Sequence, residues 1–255
     1  EEALLFHYGN NTHPKFDYLE KDSFKNDVGF MKKAVAAEEQ PPYYKDYEGA
    51  PALELPRPSL GGEPLEVALL DEVVRHESKG PLTLEELAWL SYLAFGQTSV
   101  RPLPVTGRHV AKTSPSGGSR HPTEVYPIVT SVAGVSPGIY HSNVRCHALE
   151  CLSPGDFSDF VARSVIVHKG RPQFEPRVTF VFATILERSM FRYREPFSYR
   201  VMHHDLGHLM QTTALLASSL RRNSYRTYSL RFGDVNRQLG LDGLSECAMA
   251  SATIG

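Results

Sequence analysis

Residues 112–129 read KTSPSGGSRHPTEVYPIV, a glycine-serine turn followed directly by an apolar run. The run VYPIV at 125–129 predicts a buried strand, because nearly all of its side chains are apolar. Glycine lets a backbone approach a ligand closely, and successive N–H groups can form an anion site. The spacing at 114–122 is neither that of a Walker loop nor that of a dinucleotide-binding loop. An ordinary loop and a ligand-binding turn both remain open interpretations of these residues.

The segments around this turn predict an α+β domain. One helix is predicted over 65–75 and another over 83–96, where Thr83 and Glu86 have the spacing of a capping box. The further predicted elements are a hairpin of strands at 138–141 and 147–152, a buried strand at 177–186, a long helix at 199–222 and a strand at the C-terminus. Helices followed by a hairpin, a buried strand, a helix and a last strand are typical of the α+β class.

Residues 1–64 differ in composition from the rest of the chain. Prolines at 41, 42, 51, 56, 58 and 64 exclude long helices there, and only 25–39 predicts a helix. We therefore predict an N-terminal arm over 1–64 that wraps over a domain formed by 65–255. The chain begins with Glu1 and lacks an initiator methionine, which predicts processing or excision from a larger protein.

Composition narrows the function classes for this 255-residue chain. The formal charge is −2, so no basic excess indicates nucleic acid. No apolar run approaches the roughly 18 residues of a membrane span, and the start EEALLFHYGNN lacks the basic region of a secretory signal. Three cysteines without metal spacing indicate a reducing compartment. We expect a cytoplasmic protein with no membrane or nucleic-acid partner.

The segment HHDLGH at 203–208 contains histidines at a spacing that could form a metal site. His204 and His208 stand four residues apart on a predicted helix, so both could face one ion. The glutamate of an HExxH motif is missing, and no third ligand follows at a typical spacing. Histidines in core hydrogen bonds explain the segment better, and we predict no metal.

Two basic clusters each allow a structural and a functional interpretation. The segment 187–200 combines arginines with tyrosines, namely Arg188, Arg192, Tyr193, Arg194, Tyr199 and Arg200. It could form a solvated face, or it could bind anions and move protons in a pocket. The segment RHESK at 75–79 lies in a helix break and is either a solvated loop or a phosphate grip.

Five segments in chain order resemble the flavin-dependent nitroreductase superfamily, and within it the SagB-type dehydrogenases, which oxidise azolines in peptide natural products. They are PLTLEELAWLSYLAFG, SPSGGSRHPTEVYPIV, SPGIYHSNVRCHALECL, FVFATILERSMFRYREPFSYRVMHHDLGHLMQTTALLA and FGDVNRQLGLDG, and they span about 65–255. The arm, with HYGNNTHPKF and PPYYKDYEGAP, is similar to the leader of a subset that can carry two such domains in tandem. The resemblance implies a nitroreductase-like fold, with a mainly antiparallel central sheet flanked by helices and FMN at a dimer interface.

The resemblance also implies which residues bind FMN. In the family, the serine-glycine turn lies against the flavin where two protomers meet. The corresponding residues here are Ser114, Pro115, Ser116, Gly117, Gly118 and His121. The family's phosphate grip, an Arg-x-Ser-x-basic pattern, corresponds loosely to Arg75, Ser78 and Lys79, with the serine displaced by one residue. Arg231 is a further phosphate candidate.

One departure from the family concerns proton chemistry. Azoline dehydrogenases of this type use a Lys-Tyr pair, whereas this sequence has Arg192 and Tyr193. Lysine can be tuned towards neutrality by burial, but arginine stays charged. The resemblance therefore implies that Tyr193 relays a proton while Arg192 holds its phenolate form or an anionic substrate.

The resulting prediction is an FMN-dependent oxidoreductase that acts on a peptide- or carrier-bound azoline in natural-product biosynthesis. A homodimer or a tandem partner domain would complete it. Two alternatives stay open from the residues alone. One is an FMN oxidoreductase for another small carboxylated substrate, and the other is a non-catalytic scaffold with a degenerate flavin fold.

Overall fold

The computed structural model describes residues 2–11, 21–37, 39–59, 63–71, 76–77, 80–103, 105, 107–194 and 196–255. Its strands are β1 (Ala52–Glu54), β2 (Gln97–Leu103), β3 (Gly107–Lys112), β4 (Thr123–Val129), β5 (Gly138–Asn143), β6 (Ala148–Pro154), β7 (Val178–Ile185), β8 (Ser224–Thr227) and β9 (Glu246–Ile254). Its helices are α1 (Glu2–Asn11), α2 (Lys21–Ala36), α3 (Leu65–Asp71), α4 (Leu84–Phe95), α5 (Ser158–Phe160), α6 (Glu187–Tyr193), α7 (Ser198–Ser219) and α8 (Phe232–Leu239).

A seven-stranded sheet in the order β1-β6-β5-β4-β7-β9-β8 forms the centre of the molecule. Each neighbouring pair of strands is antiparallel. The longest unbroken register joins β4 to β7, from Thr123 opposite Thr184 to Val129 opposite Val178. Both strands are buried nearly throughout, which explains their continuous apolar sequences. The predicted antiparallel α+β architecture is confirmed.

Helices cover both faces of this sheet. On one face, α4 and α7 pack against alternate residues of the central strands, such as Val125 and Phe180. On the other face, α8 and a short π-helix (Val161–Val165) pack against the intervening residues, such as Tyr126 and Val181. Alternation along each strand therefore divides the core into two layers. Within the described residues, no helix is long and apolar enough to cross a membrane.

Two hydrogen bonds between neighbouring residues fix the start of α4. Thr83 Oγ1 accepts a hydrogen bond from Glu86 N at 3.1 Å, and Thr83 N donates to Glu86 Oε2 at 2.9 Å. This is the predicted capping box, and it satisfies two backbone donors at the start of the helix.

The N-terminal arm takes part in the sheet. The strand β1 pairs with β6 and thereby forms one edge of the sheet. The helix predicted over 25–39 runs from Lys21 to Ala36, and its Met31 and Ala34 are buried. The boundary between 1–64 and 65–255 stays a prediction.

A hairpin that the sequence did not predict leads into the serine-glycine turn. Its strands β2 and β3 form a separate two-stranded sheet beside the main one. Most of its side chains are partly or fully exposed, so neither strand has the apolar pattern of a core strand. The arm holds it, because Tyr43 Oη donates to Arg108 O at 2.7 Å and Tyr44 Oη donates to Gln97 Oε1 at 2.5 Å.

Candidate functional site

The serine-glycine turn is held in place by one carboxylate of α7. Asp205 is 3% exposed and accepts hydrogen bonds from Ser116 Oγ at 2.6 Å and Gly117 N at 2.9 Å. Ser116 Oγ in turn accepts from His121 N at 2.9 Å. Burial raises the pKa of Asp205, and the bonds from Ser116 and Gly117 oppose that shift. Asp205, which the sequence interpretation overlooked in HHDLGH, is the residue that fixes the turn.

The turn also has an unusual backbone. Gly118, Ser119 and His121 have φ values of 58°, 52° and 45°, all in the left-handed region. For residues with a side chain this conformation costs about 1–2 kcal/mol, and it persists only where the surroundings enforce it. Ser114 adds such a restraint, because its Oγ donates to Ala94 O of α4 at 2.5 Å.

The two glycines make room for side chains of the same chain. A Cβ atom on Gly117 would overlap Cγ1 of Val201, and one on Gly118 would overlap Oη of Tyr193. Tyr193, the predicted catalytic residue, therefore lies directly on the turn that was predicted to bind the cofactor. A side chain at either position would have to displace Val201 or Tyr193, so internal packing favours both glycines, whatever ligand the turn holds.

A histidine and a lysine line a small cavity beneath the turn. Ser114, Ser116 and Asp205 line the same cavity, which has a volume of about 20 Å³. Burial and, to a smaller extent, the Lys112 charge lower the pKa of His121 to about 3, so the imidazole is neutral. Burial also lowers the pKa of Lys112 to about 8, although Glu124 opposes that shift.

His121 has one unused acceptor. Its ring forms a hydrogen bond with the backbone of Val110, while Nε2 is buried and has no hydrogen-bond partner among the described residues. A buried polar atom without a partner is uncommon and is a place where a ligand or water can bind. Among the predicted cofactor residues of the turn, His121 therefore has a polar atom, Nε2, that makes no hydrogen bond within the described residues.

An ionic cluster lies under the start of β4. Arg188 Nη1 donates to Glu124 Oε1 at 2.5 Å, and His141 lies between Glu124 Oε2 at 2.9 Å and Glu150 Oε2 at 2.8 Å. Burial alone would raise the pKa of Glu124, but Arg188 and His141 hold it at about 2. Burial would lower the pKa of His141, and the two carboxylates raise it instead. The polar residues within β5 and β6 were the sequence signal for this cluster.

The arginines beside Tyr193 bind a carboxylate of the arm. Arg192 Nη1 lies 2.7 Å and Arg194 Nη2 lies 3.0 Å from Asp27 Oδ1. The Arg192 guanidinium carbon is also 5.7 Å from the centre of the Tyr193 ring. Arg192, predicted to hold a phenolate or a substrate anion, thus already has an anionic partner.

Of the predicted phosphate residues, the structure describes Arg231 alone. Arg75, Ser78 and Lys79 lie outside the described residues, so their role stays a prediction. Arg231 is exposed at the N-terminus of α8, which packs on the other face of the sheet from α4 and α7. The remaining turn residue, Pro115, is exposed, and its carbonyl accepts from His208 Nδ1 at 3.2 Å. In the part of the chain that the structure describes, no three acidic, histidine or cysteine side chains are grouped to hold a metal.

Comparisons with known proteins identify relatives of this chain by sequence. No family model matches the chain. The trifolitoxin-processing protein TfxB of Rhizobium leguminosarum bv. trifolii is 32% identical over 261 residues, which cover 99% of this chain and 70% of TfxB. A nitroreductase-type protein of Methanocaldococcus jannaschii is 29% identical over 147 residues, covering 58% of this chain and 69% of that protein.

Solved structures share the fold at lower identity. A nitroreductase-type protein from Anabaena variabilis has a TM-score of 0.67 at 22% identity over 90% of this chain, which spans only 45% of that protein. One from Ralstonia eutropha has a TM-score of 0.63 at 20% identity, over 84% of this chain and 93% of that one. The E. coli microcin synthetase McbBCD complex with truncated pro-MccB17 bound contains a chain with a TM-score of 0.57 at 22% identity, over 71% of this chain and 66% of that one.

The antiparallel sheet, its two helical layers and these structural neighbours define a nitroreductase-like fold, and the comparisons support an oxidoreductase. Sequence identity to TfxB then assigns the chain to a family. Because TfxB is 32% identical over nearly the whole chain, this chain belongs to the same nitroreductase-like family as TfxB.

Proposed function

We propose that this protein is an FMN-dependent dehydrogenase of the SagB type that oxidises a peptide-bound azoline during natural-product biosynthesis. Kinship with TfxB, a trifolitoxin-processing protein, supports a peptide substrate. The observation that carries the proposal is the position of Tyr193 Oη against Gly118, which brings a proton-transfer group to the predicted cofactor turn.

The residues around the turn fit an isoalloxazine ring. Such a ring carries both carbonyl acceptors and an N–H donor. The neutral His121 offers an acceptor at Nε2 and Lys112 offers an ammonium donor at a cavity of about 20 Å³, which admits one water and not the ring. A water in that cavity would link these groups to a flavin on the outer side of the turn. Gly118 and Pro115 are exposed on the outer side of the turn, where a flat ring could lie. When bound, FMN would supply the chemistry of accepting a hydride from a substrate carbon.

Tyr193 would handle the proton that accompanies this hydride. Oxidation of an azoline to an azole removes two electrons and two protons, counted as one hydride and one proton. Tyr193 Oη would take the proton from the ring carbon, and the Arg192 guanidinium carbon lies 5.7 Å from the centre of its ring. Molecular oxygen is the expected final electron acceptor. A second copy of the chain or a tandem partner domain would complete the cofactor site.

Two alternative functions, oxidation of a small carboxylated substrate and a non-catalytic scaffold, receive no added support. A small carboxylated substrate was suggested by Arg192, whose guanidinium is paired with Asp27. A non-catalytic scaffold was suggested by the irregular phosphate grip at Arg75, Ser78 and Lys79, which lies outside the described residues.

The first test is the visible absorbance spectrum of the purified protein, with mass spectrometry of any molecule released on heating. We expect oxidised-flavin bands and released FMN, followed by turnover with azoline-containing peptides and not with small carboxylic acids. A protein that stays colourless after incubation with FMN would overturn the flavin assignment. Flavin-loaded protein that oxidises only small acids would overturn the substrate class.

A further inference from the structure

A carboxylate of the N-terminal arm binds both sequence neighbours of Tyr193. Asp27, on α2, is 2% exposed, and the same oxygen accepts from Arg192 at 2.7 Å and from Arg194 at 3.0 Å. A buried carboxylate shared by two guanidinium groups is a strong restraint, because charge-assisted bonds are stronger than neutral ones and an unpaired buried charge is costly.

Aromatic contacts extend this junction along α6. The rings of Phe30 and Phe191 have centroids 5.8 Å apart, and the Arg194 guanidinium carbon lies 3.7 Å from the centre of the Phe30 ring. At the start of α6, Arg188 Nε donates to Pro42 O of the arm at 2.9 Å. The arm therefore contacts α6 at both ends.

The other side of the same segment meets the serine-glycine turn. Tyr193 Oη lies against Gly118, and its ring packs against Phe197 with centroids 6.3 Å apart. The position of the Tyr193 hydroxyl thus depends on the backbone of α6 between Arg192 and Arg194. Arg194 adopts a left-handed φ of 52°, a conformation that needs outside support.

We infer that Asp27 is a positioning residue that holds the segment Arg192 to Arg194 so that the Tyr193 hydroxyl stays on Gly118. The arm is then part of the catalytic apparatus and not a surface wrap. This inference rests on the proposed function, because it assigns Asp27 a role through the proton transfer of Tyr193. The chemistry stays that of Tyr193, and Asp27 does not touch substrate or cofactor.

The test is a double-mutant cycle on the full chain loaded with flavin, with the rate of flavin reduction by substrate as the readout. We expect Asp27→Asn to slow reduction by about 10- to 100-fold, since a displacement near 1 Å can cost that much. In a Tyr193→Phe background, the same change should alter the rate by less than about twofold, because its effect passes through the hydroxyl. A merely structural role would slow both backgrounds equally and would overturn the inference.

Controls separate the possible failures. Asp46→Asn removes another arm carboxylate that binds an arginine, Arg145 at 2.7 Å, and it should leave the rate unchanged. If Asp27→Asn does not fold, Arg194→Gln tests the same coupling, because the buried Asp27 carboxylate keeps Arg192 as its partner. If Tyr193→Phe alone has no effect, the proposed function fails. If Tyr193→Phe slows reduction and Asp27→Asn does not, only the positioning role fails.

Discussion

Replacing Gly118 by alanine should destabilise the protein mainly through its contact with Tyr193. Two costs add at this position. The φ of 58° is left-handed and costs an alanine about 1–2 kcal/mol. The new methyl group would also overlap Tyr193 Oη, and because heavy atoms settle near 3.5 Å, the hydroxyl must retreat by roughly 1.4 Å. Overpacking of this kind costs about 1–3 kcal/mol.

Gly240 provides a matched control for the cost of the left-handed backbone conformation. Gly240 has a φ of 69°, and a Cβ there meets no atom within 4 Å among the described residues. Gly240→Ala should therefore cost only the left-handed strain of about 1–2 kcal/mol. In a Tyr193→Phe background, Gly118→Ala should fall to the same value, because the next ring atom, Cζ, is 3.2 Å from the new Cβ.

Urea unfolding of the four variants of this cycle measures the coupling between Gly118 and Tyr193 directly. The predicted coupling is about 1–3 kcal/mol, equal to the overpacking cost. The experiment needs neither flavin nor substrate, so it tests the geometry of the site separately from its function. Equal costs for Gly118→Ala in both backgrounds, or equal costs at Gly118 and Gly240, would refute the placement of Tyr193 on the turn.

Two further predictions concern buried charges and pH. The pKa of His141 is raised in the folded protein, so its stabilising contribution is complete below about pH 6.5 and is lost as pH rises through the pKa of the folded state. The pKa of Glu124 is lowered, so its stabilising contribution is lost as pH falls towards about 2. His141→Gln should therefore cost most, about 3–5 kcal/mol, between roughly pH 4.5 and 6.5, and a flat pH dependence in urea titrations would contradict this. Lys112 is partly buried and has a lowered pKa of about 8, so its charge costs stability at neutral pH. Lys112→Met should stabilise the protein at pH 7, and the gain should shrink as pH rises from about 8 to about 10.5; a gain that grows over this range would count against the burial of Lys112.

The sequence predicted the features that depend on nearby residues. The capping box joins Thr83 to Glu86 across three positions, and the β4 and β7 strands are visible as apolar runs. The serine-glycine turn was visible from its composition. The hairpin of β2 and β3 was not, because most of its side chains are partly or fully exposed and its strands carry no core pattern.

The contacts that organise the site join distant parts of the chain. Gly117 and Asp205 are 88 positions apart, and Asp27 and Arg192 are 165 positions apart. Asp205 lies in HHDLGH, but its partner lies far away in the sequence, as do the partners of Asp27, so no local pattern predicts that Asp205 holds the turn or that Asp27 holds α6. The pattern visible in HHDLGH is the spacing of its histidines, which says nothing about Asp205.

Some of the predicted cofactor residues also have a structural role, so their presence alone is no evidence that the turn binds a ligand. Gly117 and Gly118 have a sufficient structural reason in Val201 and Tyr193, and Ser116 is bonded to Asp205. A scaffold that had lost its flavin would still need these residues, so their presence does not separate an enzyme from a scaffold. His121 is different, because its buried Nε2 has no partner among the described residues and folding gains nothing from leaving it so. The bond to Val110 gives folding a use for the other ring nitrogen, but only a flavin enzyme would also use the acceptor at Nε2. Flavin affinity of a His121→Leu variant, compared with its unfolding free energy, therefore distinguishes the two more sharply than any change at the glycines.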